Sequence, residues 1–119
     1  MDDQLWESQE GQLAVDVLET PSEIIIRSAI AGVKPKDIDI NVTSDLVTIR
    51  GERERHRERH DTTMHFEECF WGSFSRSIVL PAHVQPNEAN ADMKNGVLTL
   101  TIPKAHAEMQ VPVREDLSD

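Results

Sequence analysis

The stretch NGVLTLTIP, residues Asn95 to Pro103, decides the architecture. Asn95 and Gly96 supply the positive φ that a tight turn between two strands requires, and Val97 and Leu98 open the strand that follows. The run VLTLTI at 97–102 repeats with a period of two and is stopped by Pro103, so it belongs to a sheet and not to a helix.

The same period recurs upstream. Residues 13–19, LAVDVLE, place Leu13, Val15 and Val17 on one face, and 23–31, EIIIRSAIA, follow after the Pro21-Ser22 turn, which predicts a hairpin. Beyond Gly32 and the Lys34-Pro35-Lys36-Asp37 turn, Ile38, Ile40 and Val42 alternate with Asp39 and Asn41, the mark of a half-buried strand. Ser44 and Asp45 turn the chain into LVTIRG, 46–51, with Val47 and Ile49 on one side, and FSRSIVL, 74–80, ends at Pro81. Short strands of this kind, with no long amphipathic helix to cover a sheet, predict an all-β, immunoglobulin-like antiparallel sandwich. No internal repeat is visible.

Length and charge bound the rest. A chain of 119 residues, 38% hydrophobic, buries one modest core. Its domains are expected as a short flexible N-terminal arm at 1–12, a sandwich at 13–104 and a flexible C-terminal tail at 105–119. A net charge of -10 argues against partners that are read by clustered Lys and Arg, so neither nucleic acid nor an anionic membrane is expected. Cys69 stands alone and cannot form an internal disulfide, while MDDQLWESQEG lacks a basic region followed by an apolar run. Both features point to a cytoplasmic protein.

Between Gly51 and Phe74 the pattern is interrupted. Arg50, Arg53, Arg55, Arg57 and Arg59 are nearly balanced by Glu52, Glu54, Glu58 and Asp61, which reads as a solvated mixed-charge segment. Met64, Phe66, Phe70 and Trp71 then return apolar content. An excursion of this length is too long for a turn, and such loops are usually functional or pair with something else. His56 and His60 stand at i and i+4, but HRERH lacks a Glu directly after the first His, and the flanking arginines repel a cation. No base can be placed beside Cys69, and no nucleophile elbow or phosphate-cradling loop occurs. No enzyme, metal or cofactor is expected.

Three motifs carry a resemblance. Ala91 to Leu98, ADMKNGVL, resembles the A-x-x-x-n-G-V-L signature of the small heat-shock proteins, the alpha-crystallin family, through Ala91, Asn95, Gly96, Val97 and Leu98. Gly72 to Pro81, GSFSRSIVLP, resembles that family's G-x-F-x-R-x-x-x-L-P strand, and LVTIRGER the strand before its dimerisation loop. The match runs from about Leu13 to Lys104. It implies an ATP-independent holdase, a sandwich dimer that assembles further and captures partly unfolded client proteins. The alternative is a co-chaperone or adaptor of the same fold that binds one dedicated partner.

The resemblance also assigns sites. Alternation puts Arg76 on the face of Phe74, Ile78 and Leu80, where a guanidinium needs carboxylate or carbonyl partners; the family places this arginine at or near the dimer interface, and the alternative is an exposed edge. In the non-animal branch, the segment after G-E-R adds a strand to the partner subunit. Here Thr63, Met64, His65, Phe66, Glu67 and Glu68 would form it, along the partner's Leu13 to Leu18 edge, unless the loop folds back on its own domain. Val111-Pro112-Val113 resembles the C-terminal I-x-I motif, in which two β-branched side chains enter a groove at the edge of a neighbouring sandwich. That groove is expected between the strand carrying Ile40 and Val42 and the segment carrying Ala89, Ala91 and Met93. Residues 103–110 reach roughly 26 Å at about 3.3 Å per residue, and Pro112 keeps both valines projecting the same way. The N-terminal arm departs from the family, offering only Leu5 and Trp6 as large apolar residues, so smaller oligomers are expected.

Overall fold

The computed structural model describes residues 11–105 and 111–117. Leu5, Trp6 and most of the linker before Val111 lie outside these. The described residues form eight strands: β1 Gly11–Gln12, β2 Asp16–Glu19, β3 Glu23–Ala29, β4 Ile38–Val42, β5 Leu46–Arg53, β6 Gly72–Val79, β7 Asn90–Lys94 and β8 Val97–Pro103. They make two four-stranded sheets, ordered β1-β6-β5-β4 and β2-β3-β8-β7. Among the described residues no helix is long and apolar enough to cross a membrane.

Register explains why these residues pack as they do. Ile24 faces Ile102 and Ile26 faces Leu100 across β3 and β8, while Val47 faces Ile78 across β5 and β6. All six are buried in one core shared by both sheets, and the intervening threonines of β8 point outward. The period of two in VLTLTI is thus the inward and outward alternation of a pleated strand. Asn95 and Gly96 both have positive φ, 52° and 75°, the geometry of a two-residue hairpin between β7 and β8. The core therefore joins strands distant in the chain, β3 with β8, and β5 with β6 across the long loop between them.

Three features differ from the sequence reading. First, LAVDVLE is not one strand: Leu13 is buried, and residues 13–15 cross from the first sheet to the second before β2 begins. Alternation cannot distinguish a straight strand from one that changes sheets at a buried anchor. Second, β1 pairs in parallel with β6, Gly11 opposite Phe74, so the sandwich is not wholly antiparallel and includes residues before Leu13. Third, Asn90–Lys94 is a strand whose polar residues and small Ala91 give only a weak apolar signal. The other strands lie where alternation put them.

Candidate functional site

β4 ends one sheet and β7 ends the other, and an open groove of about 180 Å³ lies between them. Pro35, Ile38 and Ile40 line one side; Ala91, Asp92 and Met93 line the other, with Leu98 completing the wall. Its apolar character follows from topology. Ile38, Ile40, Val42, Ala89 and Met93 pack against the core but stay partly exposed, because among the described residues neither sheet has a further strand to cover its rim. Of the residues predicted for a groove, Ile40, Ala91 and Met93 line it, while Val42 and Ala89 lie along the adjoining border of the core. Pro35, Ile38, Asp92 and Leu98 were not anticipated, although Ile38 belonged to the alternation already visible in β4.

The tail offers apolar side chains without cover. Val111 is 77% and Val113 96% exposed, flanking Pro112 in a segment with no regular secondary structure. Arg114 follows directly.

On another rim, β2 ends its sheet and all its residues are exposed, including Val17 and Leu18. The loop between β5 and β6 is equally open. Thr63, Met64, His65, Phe66, Glu67 and Glu68 are all exposed, Phe66 by 83%, and no strand forms there within the single chain. Glu67 pairs with Arg55, and Arg59 donates to Asp61 at 2.9 Å. The roots of the loop are held more firmly. Arg53 donates through Nε to the Ala31 carbonyl at 3.0 Å and through Nη1 to the Phe70 carbonyl at 3.3 Å. The Phe70 ring lies so close to Gly11 that a Cβ there would sit 2.6 Å from it. Sequence reading treated Arg53 as one charge among many; nothing in a mixed-charge run marks the one that bridges two carbonyls.

Arg76 stands opposite Ile49, on the inward face of its sheet, yet it is exposed because β6 lies toward the β1 edge. Its Nη1 donates to the Leu13 carbonyl at 3.1 Å. The carbonyl partner that its position demands is thus supplied within the chain.

The groups weighed for chemistry are scattered. The His56 ring meets Trp71 edge-on, with centroids 6.1 Å apart, and Cys69 is a free, exposed thiol. Among the described residues no three His, Cys, Asp or Glu side chains gather to hold a metal ion. What the surface offers is apolar rims and strand edges.

Comparison with known proteins agrees with this geometry. The pattern of the Hsp20/alpha crystallin family matches residues 16–115. Small heat shock protein C2 of Rickettsia felis is 40% identical over 89 residues, covering 75% of this chain and 58% of that protein. Spore protein SP21 of Stigmatella aurantiaca is 42% identical over 91 residues, covering 76% of this chain and 54% of its own length. The chain thus spans little more than half of these curated relatives. Among solved structures, a small heat-shock protein from Xylella fastidiosa, described as having a distinct high order structure, superposes with a TM-score of 0.74 at 26% identity, over 93% of this chain and all of that one. With its signature hairpin on β7 and β8, its two-sheet sandwich and these matches, the chain belongs to the Hsp20/alpha crystallin family of small heat shock proteins.

Proposed function

We propose that this chain is an ATP-independent holdase, which binds partly unfolded proteins and prevents their aggregation while assembling with copies of itself. The observation that carries this reading is the uncovered apolar groove between β4 and β7, in a chain whose tail presents two exposed valines at i and i+2. Val111 and Val113 of one copy enter the groove of another. Burying two valines contributes on the order of 3 kcal/mol before docking entropy is subtracted, so each contact is weak and reversible. Repeated around an assembly, such contacts add by multivalency and still allow subunits to exchange. Each release exposes an apolar strip that an extended segment of an unfolding protein can occupy.

Self-association has a second element in this reading. The exposed residues 63–68 lay a strand along the partner's β2, satisfying backbone groups that would otherwise leave an open edge prone to aggregation. The high order structure described for the Xylella relative supports assembly of this kind. No catalytic role is assigned, and the exposed Cys69 thiol suits a reducing compartment, the cytoplasm.

The test is light scattering from a heat-labile protein, warmed without ATP, with this chain added at rising molar ratio. Suppression near one subunit per client is expected. No suppression at large excess, from a folded sample, would replace the holdase by an adaptor for one dedicated partner.

A further inference from the structure

We infer that the tail docks antiparallel to β7 of the receiving copy, with Val111 beside Ala91 and Val113 beside Ala89, and that an ion pair between Arg114 and Glu88 sets this direction. The inference rests on the reading above, in which V-P-V fills the groove of a second copy.

β7 is the last strand of its sheet, so a tail lying in the groove runs along its outer edge. Residues opposite each other across such an edge point to the same face. Of Ala91, Asp92 and Met93, which line the groove on β7, alternation sets Ala91 and Met93 on the same face of the pleat, and the extended Ala89 just before the strand packs against the core. The register is therefore limited to arrangements that set both valines on two of the positions Ala89, Ala91 and Met93.

Four arrangements do so, and charge separates them. Run parallel with Val111 at Ala89, the tail places Glu115 against Met93, a carboxylate on the apolar face, which costs its desolvation. Run parallel with Val111 at Ala91, it sets Arg114 beside Lys94, two like charges directly opposite. Run antiparallel with Val111 at Met93, it brings Glu115 onto Ala89, again turning a carboxylate inward. The remaining antiparallel register puts both valines over small alanines, carries Glu115 past the groove, and brings Arg114 beyond the start of β7 to the 3-10 turn that ends in Glu88. Only this one satisfies both faces of the pleat.

The two charges are available for the role. Arg114 is the one Arg or Lys that follows Lys104 in the sequence. Glu88 ends the short 3-10 turn Pro86–Glu88 and is exposed. Neither makes an ion pair among the described residues.

The experiment is subunit exchange between two labelled pools of the full chain, with native mass recorded on the same samples. Glu88→Arg and Arg114→Glu should each speed exchange about two- to five-fold, the range of exposed ion pairs, and the double variant should return close to the parent rate. Asp92→Arg combined with Arg114→Glu should give no such return. Charge reversals without effect, or rescue through Asp92 in place of Glu88, would overturn the register. Val111→Gly with Val113→Gly separates the two claims: faster exchange in that variant alone leaves docking standing without this register, and a parent-like rate there removes the docking reading too.

Discussion

The guanidinium of Arg76 on β6 holds the carbonyl of Leu13 at 3.1 Å, and Leu13 is the buried residue at which the chain leaves one sheet for the other. The next carbonyl, that of Ala14, accepts from Ser28 Oγ on β3 at 2.7 Å. One donor comes from each sheet. The crossing is thereby fixed just before β2, the exposed edge strand. Arg76 thus acts on that edge through the backbone of the chain itself.

Arg76→Gly is expected to lower stability and disturb assembly together. Losing a charged donor to a backbone carbonyl costs about 1 kcal/mol when, as here, the group reaches solvent. In a domain of this size that is a fall in Tm of roughly 4–8 °C. Calorimetry and native mass check the two effects, and an unchanged Tm with unchanged mass would remove the role assigned to this arginine.

Ser28→Ala should act on the same crossing from the other sheet. Ser28 is 3% exposed, the one buried polar residue among the apolar inward positions of β3. Its loss takes away one hydrogen bond, about 1 kcal/mol. Hydrogen exchange should then quicken at the amides of residues 15–18 more than at Ile24 to Ile26. Uniform quickening along the chain would mean that Ser28 contributes to the core as a whole and does not hold the crossing.

Most of the sandwich was legible because its information is local. Alternation in β3, β4, β5 and β8 needs only neighbouring residues, and Asn95-Gly96 states its turn by backbone conformation alone. What sequence could not show depends on distant pairings. The break after Gln12 is set by Leu13 entering a core built from later strands, and the parallel pairing of β1 requires β6 to exist first. For the groove, Ile40, Ala91 and Met93 were readable as half-buried positions. Pro35 and Asp92 line it only because two sheet ends come to the same side. Arg53 escaped notice for the same reason, since both of its carbonyl partners are remote in sequence.

Gly51→Ala should be costly although the position lies near a strand end. Gly51 faces Phe74 across β5 and β6, and the ring covers the glycine so closely that a Cβ would sit 2.5 Å from its nearest carbon and 3.0 Å from the Asp37 carbonyl. The methyl must displace a buried aromatic ring. Overpacking of this kind costs roughly 1–3 kcal/mol. Urea denaturation should show a lower midpoint with an unchanged slope, and Phe74→Leu, which shortens the side chain lying over Gly51, should recover part of the loss when combined with it. A parent-like midpoint for Gly51→Ala would mean that the ring moves aside freely.

Arg53→Gln should release the roots of the long loop while leaving the sandwich nearly intact. Arg53 binds the Ala31 carbonyl on one side and the Phe70 carbonyl on the other, and Gly72, just beyond Phe70, is its partner in the β5–β6 ladder. Glutamine keeps a polar group but lacks the forked reach to both carbonyls, so Phe70 loses its tie while the ladder from Leu46 to Glu52 remains. The cost is about 1 kcal/mol and falls on local opening, not on the core. Cleavage by chymotrypsin after Phe70 and Trp71 follows the population of the opened root, and should rise about five-fold for that energy. Thermal melting should move by only a few degrees. If cleavage stays at the parent rate, the loop is positioned by the Phe70 ring on Gly11 alone, and Arg53 is a surface charge; if melting collapses instead, the two hydrogen bonds belong to the sandwich and not to the loop.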